Sequence, residues 1–190
     1  MAYIRMISET EATGNLAALY ARIAGIRGGV SNVLKIHSLL PQTLEDHFNL
    51  YKTLMFDLSK ATGLSRKLLE MVAVIVSGAN QCDYCVQHHS VPLKRWVRDD
   101  SLLEALQKQY WGVLAKQLEH RILYALMLAV KVTLSPSQIS DEDIHQLKDH
   151  DFSDEQILHL ILTINYFNFV NRNVLAFGLE LEPDFEKTTR

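Results

Sequence analysis

Two cysteines, Cys82 and Cys85, are the whole thiol complement of this 190-residue chain. They lie in the stretch Glu70-Met-Val-Ala-Val-Ile-Val-Ser-Gly-Ala-Asn-Gln-Cys82-Asp-Tyr-Cys85-Val-Gln-His-His89. A helix turns by about 100° per residue, so Cys82, Cys85 and His89 at i, i+3 and i+7 share one face, while His88 points elsewhere. Thiols at i and i+3 can close a disulfide with modest adjustment. The imidazole one turn on can take or give a proton. Glu70 precedes the Gly78/Asn80 break, and a helix hairpin could return it to the same face. The nucleophile in such a site is the thiolate. Its attack on a peroxide O–O bond needs a proton for the leaving oxygen, and a His–carboxylate pair can first accept the thiol proton and then return one. A second cysteine resolves the resulting sulfenic acid to a disulfide and prevents over-oxidation. A helix N-terminus near Cys82 would favour a thiolate there.

The elements that must position these groups read as helices almost throughout. Glu9–Ala24 carries a face of Leu16, Leu19, Tyr20 and Ile23 and stops at Gly25 and Gly28-Gly29. Pro41 suits the first turn of a helix running through Leu58. Ser65 is an N-cap for a helix carrying Leu68, Leu69, Val72, Ile75 and Val76, closed by Gly78 and Asn80. The cysteine helix is expected from about Gln81 to Arg98. Ser101-x-x-Glu104 and Ser153-x-x-Gln156 are capping-box patterns. A long apolar-periodic helix spans about Leu114–Leu134 and is closed by Pro136; Ser140 caps a short acidic helix, and Glu155–Leu179 is the last main one. The polar tail after Pro183 is expected to fray. A faint internal repeat pairs Glu70 with Glu155 and Asn80 with Asn165, 85 residues apart in each case (155 − 70 and 165 − 80). In it, Cys82, Cys85 and His89 are replaced by Phe167, Val170 and Val174.

Composition bounds the rest. Apolar residues are 48% and charged residues 22%, which excludes disorder as the main state. Eight glycines and four prolines are few for this length and argue for long helices over a sandwich or meander. No linker or low-complexity block divides residues 1–190, so the chain reads as a single domain. A net charge of −3 argues against a nucleic-acid partner. No apolar run reaches the roughly 18–20 residues of a membrane span. The start lacks a secretory hydrophobic region, so the default compartment is the cytoplasm. A close cysteine pair in such a chain signals redox chemistry or metal rather than a disulfide framework.

The pattern Glu-x11-Cys-x2-Cys-x3-His on a helical chain resembles the alkylhydroperoxidase D / carboxymuconolactone decarboxylase family. The length, Asn80 ahead of the cysteines and the segment Asn-Tyr-Phe-Asn-Phe-Val-Asn171-Arg172 are similar to its peroxidase-related branch, over roughly Gln42 to Leu181. The resemblance implies an all-α multi-helix bundle and a homo-oligomer, whether dimer, trimer or hexamer. It implies reduction of a small or alkyl hydroperoxide by a thiol cycle, supplied by an unidentified dithiol or protein reductant, with no cofactor beyond a redox-active Cys82–Cys85 disulfide. Carried over residue by residue, Cys85 attacks, Cys82 resolves, and Glu70 and His89 form the proton relay. Helix-dipole reasoning favours Cys82 as the more acidic thiol instead. The family's histidine just before the second cysteine is here Tyr84, whose phenol cannot shuttle protons near neutrality as an imidazole can.

Other readings stand beside this one. A lyase acting on a lactone acid would use His89 and Glu70 as acid and base and need no thiol. A zinc or redox-sensing module would use Cys82, Cys85, His89 and either Glu70 or His88, but no second Cys/His cluster supplies ligands from a separate stretch. His88 is expected at the surface or just behind the site. The five histidines other than His37 outside this stretch form no pattern. Lys94, Arg95 and Arg98 read as a solvated basic face, Asn171-Arg172 as a structural hydrogen-bonding element, and Tyr166, Phe167 and Phe169 as core or interface.

Overall fold

The computed structural model describes residues 2–189, and among them there is no strand. The helices are α1 (Gly14–Arg27), α2 (Asn32–Lys35), α3 (Pro41–Lys52), α4 (Leu58–Thr62), α5 (Arg66–Ala79), α6 (Asp83–Leu93), α7 (Asp100–Lys108), α8 (Trp111–Gln117), α9 (His120–Leu134), α10 (Asp141–Asp149) and α11 (Asp154–Phe177). The architecture is the all-α bundle expected from scarce breakers and near-3.6 apolar spacing. No helix among the described residues is long and apolar enough to cross a membrane.

The hub is α5. The Ser65 hydroxyl starts it by accepting from the Leu68 backbone N–H at 3.2 Å. Every residue from Leu68 to Ser77 is buried. A helix apolar nearly all round must be surrounded, and α6, α7, α9 and α11 pack around it. A smaller apolar cluster, built on Leu16, Tyr20, Ile23, Leu44 and Phe48, joins α1 to α3. The cavity described below lies where this cluster meets the main core, since Leu34 and Phe48 line it from one side and Phe167 and Val170 from the other.

Between α3 and α4, Thr53–Asp57 forms one π-helical turn. Two of its carbonyls are used by distant side chains: Arg66 Nη1 donates to Met55 O at 3.0 Å, and His159 Nε2 bonds Leu54 O at 2.7 Å. A π-turn leaves carbonyls available in this way.

Several boundaries differ from the sequence expectation. The first helix is Gly14–Arg27, not Glu9–Ala24; Gly25 is absorbed within it, and Gly28, at φ 87°, makes the left-handed cap. The helix begun by Pro41 reaches Leu58 only through the π turn. The cysteine helix ends at Leu93, near Pro92, rather than Arg98. The single helix expected over Leu114–Leu134 is two, because Leu118 adopts extended backbone at φ −111°, ψ 145°. Asp99, not Ser101, caps α7, accepting from the Ser101 N–H at 2.8 Å. The tail after Pro183 is engaged: Phe185–Thr188 is a 3₁₀ turn, Thr188 and Thr189 are buried, and Arg27 Nε donates to Thr188 O at 2.9 Å. The internal repeat is not confirmed. Asn80 ends α5, whereas Asn165 lies exposed in the middle of an unbroken α11, and Glu70 is buried where Glu155 is exposed.

Candidate active site

The turn between α5 and α6 sets the site. Cys82 N–H donates to Ser77 O at 2.9 Å and Gln81 N–H to Gly78 O at 3.0 Å, with Gln81 left-handed at φ 57°. This is a Schellman arrangement with a non-glycine residue in the left-handed position. The chain reverses within three residues, and Cys82 becomes the N-cap of α6. Cys85 follows in the first turn and His89 one turn later, as their spacing predicts.

The reversal lays α6 against α5 and returns Glu70 to His89. Glu70 is fully buried; its Oε2 lies 2.7 Å from His89 Nδ1, and its Oε1 accepts from Arg66 Nε at 2.8 Å. Arg66 is held in turn by Met55 O and by the Tyr51 hydroxyl, each at 3.0 Å, with Phe56 beneath its guanidinium at 4.1 Å. Burial alone would raise the Glu70 carboxyl, but His89 and Arg66 outweigh it and hold the group below the ordinary carboxylate value. A carboxylate this deep needs such partners. With Nδ1 committed to Glu70, Nε2 is the His89 atom left for proton exchange. The ring packs edge-on to Phe167, centroids 4.7 Å apart.

Both cysteines are free and buried. The two thiols are near each other; the neighbouring Cys85 draws the Cys82 thiol down, while burial pushes Cys85 well up. Acidity therefore favours Cys82, in line with its N-cap position. Access favours Cys85, which lines the cavity where Cys82 does not. Behind the pair is an amide network. Asn171, which acts to lower the Cys85 thiol, donates to Ser77 Oγ at 3.1 Å, and Asn80 Nδ2 donates to both Asn168 Oδ1 and Asn171 Oδ1 at 2.9 Å. Asn171-Arg172 hydrogen-bonds as expected: Arg172 Nη1 donates to Asn168 Oδ1 at 2.8 Å.

Tyr84 commits its hydroxyl to the C-terminal segment. Its hydroxyl donates to Glu182 Oε1 at 2.8 Å, and its ring stacks on His88 at 4.4 Å. His88 is buried, lines the cavity and bonds Glu182 Oε2 at 2.9 Å. The Asn32 backbone N–H also donates to Glu182. Burial alone would raise the Glu182 carboxyl, but these donors bring it down to about 2. The resulting cavity is about 40 Å³ and is lined by Arg27, Tyr51, Cys85, His89, Tyr166 and Thr189 among others.

The structure thus brings Glu70, His89, Cys82 and Cys85 together. Sequence reasoning missed Arg66, although its i, i+4 spacing to Glu70 is a readable signal. It also missed Glu182, which lies just ahead of the tail expected to fray, and the pairing of His47 with His37, whose ring nitrogens are 3.0 Å apart. Lys94, Arg95 and Arg98 are exposed, as a solvated face should be. Among the described residues no group of three or more His, Cys, Asp or Glu converges to hold a metal ion.

Residues 45–107 match the model of the carboxymuconolactone decarboxylase family. The chain is 28% identical over 133 residues to the uncharacterized protein YdfG of Bacillus subtilis (strain 168), covering 66% of this chain and 85% of that protein. A peroxidase-related protein from Silicibacter sp. TM1040 superposes with a TM-score of 0.81 at 26% identity, over 97% of this chain and 96% of that one. An alkylhydroperoxidase AhpD core protein from Ralstonia eutropha JMP134 gives a TM-score of 0.83 at 23% identity, over 100% and 96%, a likeness of fold.

Proposed function

We infer, from this chain's membership of the alkylhydroperoxidase D / carboxymuconolactone decarboxylase family in its peroxidase-related branch, that it reduces small hydroperoxides through a Cys82–Cys85 dithiol/disulfide cycle. The observation that carries this is the buried Glu70–His89 pair beside the same cavity that Cys85 lines, with Cys82 in contact behind. His89 Nε2 accepts the Cys85 proton, and Glu70 steadies the imidazolium. The Cys85 thiolate attacks the terminal oxygen of ROOH; the O–O bond breaks, and the departing RO⁻ takes the proton from His89 as ROH. Cys82 then attacks the Cys85 sulfenic sulfur. A disulfide forms, and the hydroxyl leaves as water with the Cys82 proton. An external dithiol reduces the disulfide and is itself oxidised. Access to the cavity supports the reading of Cys85 as the attacking thiol, and the lower Cys82 thiol suits a resolving nucleophile.

A cavity of about 40 Å³ suits the –OOH head of a small peroxide better than a lactone acid, which weighs against the lyase reading. The test is peroxide consumption coupled to an external dithiol. Turnover by the native chain, abolished in Cys85→Ser, supports the cycle. Cys82→Ser is expected to give one fast attack and then stall. Sulfenic-acid trapping only at Cys82 in Cys85→Ser, with none at Cys85 in Cys82→Ser, would reverse the order of the two thiols.

A further inference from the structure

Opposite Glu70–His89, a second chain of polar groups leaves the same cavity. The Tyr166 hydroxyl lies 2.8 Å from His47 Nε2, His47 Nδ1 lies 3.0 Å from His37 Nε2, and His37 Nδ1 lies 2.9 Å from Thr43 Oγ1. Tyr166 and His47 line the cavity, and His37 and Thr43 line a separate groove on the surface. The polarity of the chain follows from one hydroxyl. Thr43 spends its single proton on Leu40 O at 2.8 Å, so it accepts from His37. Burial lowers both imidazoles, His47 to about 3, so each is neutral near neutrality and carries one N–H. His37 is then protonated on Nδ1 and accepts at Nε2; His47 is protonated on Nδ1 and accepts at Nε2; Tyr166 must donate to His47. Every proton points away from Cys85, and the Tyr166 oxygen presents its free lone pair to the cavity.

We propose that Tyr166, His47 and His37 form a second proton path between Cys85 and the surface, and that both imidazoles exchange tautomers when Cys85 ionises. The Cys85 proton passes to the Tyr166 oxygen, directly or through one cavity water, as the phenol proton moves to His47 Nε2. His47 Nδ1–H moves to His37 Nε2, and His37 Nδ1–H leaves to solvent. For each thiol that ionises by this path instead of through His89, one proton exits, no oxidant or reductant takes part, and both rings stay neutral. Tyr166 now donates to the thiolate it helped to form. The groups facing this path are Arg27 from α1, Tyr51 from α3, and Tyr84, Cys85, His88 and His89 from α6. Arg27 disfavours a cationic His47, which keeps the transfer neutral.

The use of this path in catalysis rests on the reading of Cys85 as nucleophile; the tautomer exchange does not. The test uses the full chain with ¹⁵N-labelled histidine and a Cys82→Ser background, so that the thiolate absorbance reports Cys85. Ring ¹H–¹⁵N spectra are followed through the Cys85 titration. His37 and His47 are expected to change from Nδ1–H to Nε2–H at the thiol midpoint, and to stay unchanged when Cys85→Ser is added. Tautomers that remain fixed, or that exchange with Cys85 absent, overturn the proposal. Tyr166→Phe should slow Cys85 alkylation by iodoacetamide roughly tenfold below the midpoint, the effect of about one pKa unit; an unchanged rate counts against it. If that variant does not fold, the spectra decide alone. Exchange in a protein that reduces no peroxide would sink the peroxidase reading and leave the path standing.

Discussion

Glu182 ties two separate segments to one carboxylate: α6 through Tyr84 and His88, and the start of α2 through the Asn32 N–H. Hydrogen bonds to a charged group contribute about 1.5–3 kcal/mol each when buried. Because the folded carboxyl ionises at about 2, below its ordinary value, its stabilisation is complete above the ordinary carboxylate range and drains away as pH falls toward about 2. Glu182→Gln should therefore lower the denaturant midpoint near pH 7 and make little difference near pH 2. A deficit of equal size at both would show that the charge is not what matters. Tyr84→Phe tests the phenol in isolation. It should cost about 1.5–3 kcal/mol of stability, while single-turnover attack on peroxide changes far less than the roughly 10²-fold expected of an acid–base group. A loss of that larger size would return Tyr84 to the relay. The legible residues are those whose signal is local. Cys82, Cys85 and His89 announce a shared face by spacing alone. Glu182 meets Tyr84 across 98 residues and Tyr166 meets His47 across 119, and separations of that kind leave no pattern along the chain.

At the scale of elements, the close approach of α5 and α7 fixes where the cysteine turn begins. A Cβ on Gly78 would lie 2.2 Å from Gln107 O, a backbone atom that cannot swing aside. Gly78→Ala should therefore cost about 1–3 kcal/mol, as overpacking does, and should slow disulfide formation by displacing the start of α6. Unchanged thermal stability would show that the helices can separate freely there. Ser65 and Pro41 were readable as helix starts because a cap and a fixed φ act within one turn. The break at Leu118 was not, because a leucine there continues the apolar spacing whether or not the backbone remains helical. Asp99 prevailed over Ser101 for a similar reason: both sequences can cap, and only packing chooses between them.

At the scale of the whole molecule, apolar surface remains uncovered. Leu158, Leu162, Phe169 and Leu175 are exposed along α11, and Met127 and Leu134 border a groove of about 630 Å³ beside α9 and α10. A homo-oligomer is the expected outcome, and light scattering at micromolar concentration should give a multiple of 21.7 kDa. A single-chain mass would show that this surface is tolerated in water. The cysteine turn described above has a further consequence, in the entropy of the unfolded chain. A bridge between Cys82 and Cys85 closes a ring of only about four residues, and loop-closure entropy then gives a ceiling of about 2 kcal/mol. Oxidised and reduced forms of so small a ring differ little in how much freedom the denatured chain has lost. In the proposed cycle the protein would pass between them at each turnover with a stability change no larger than that ceiling, confining the work of the cycle to the first turn of one helix.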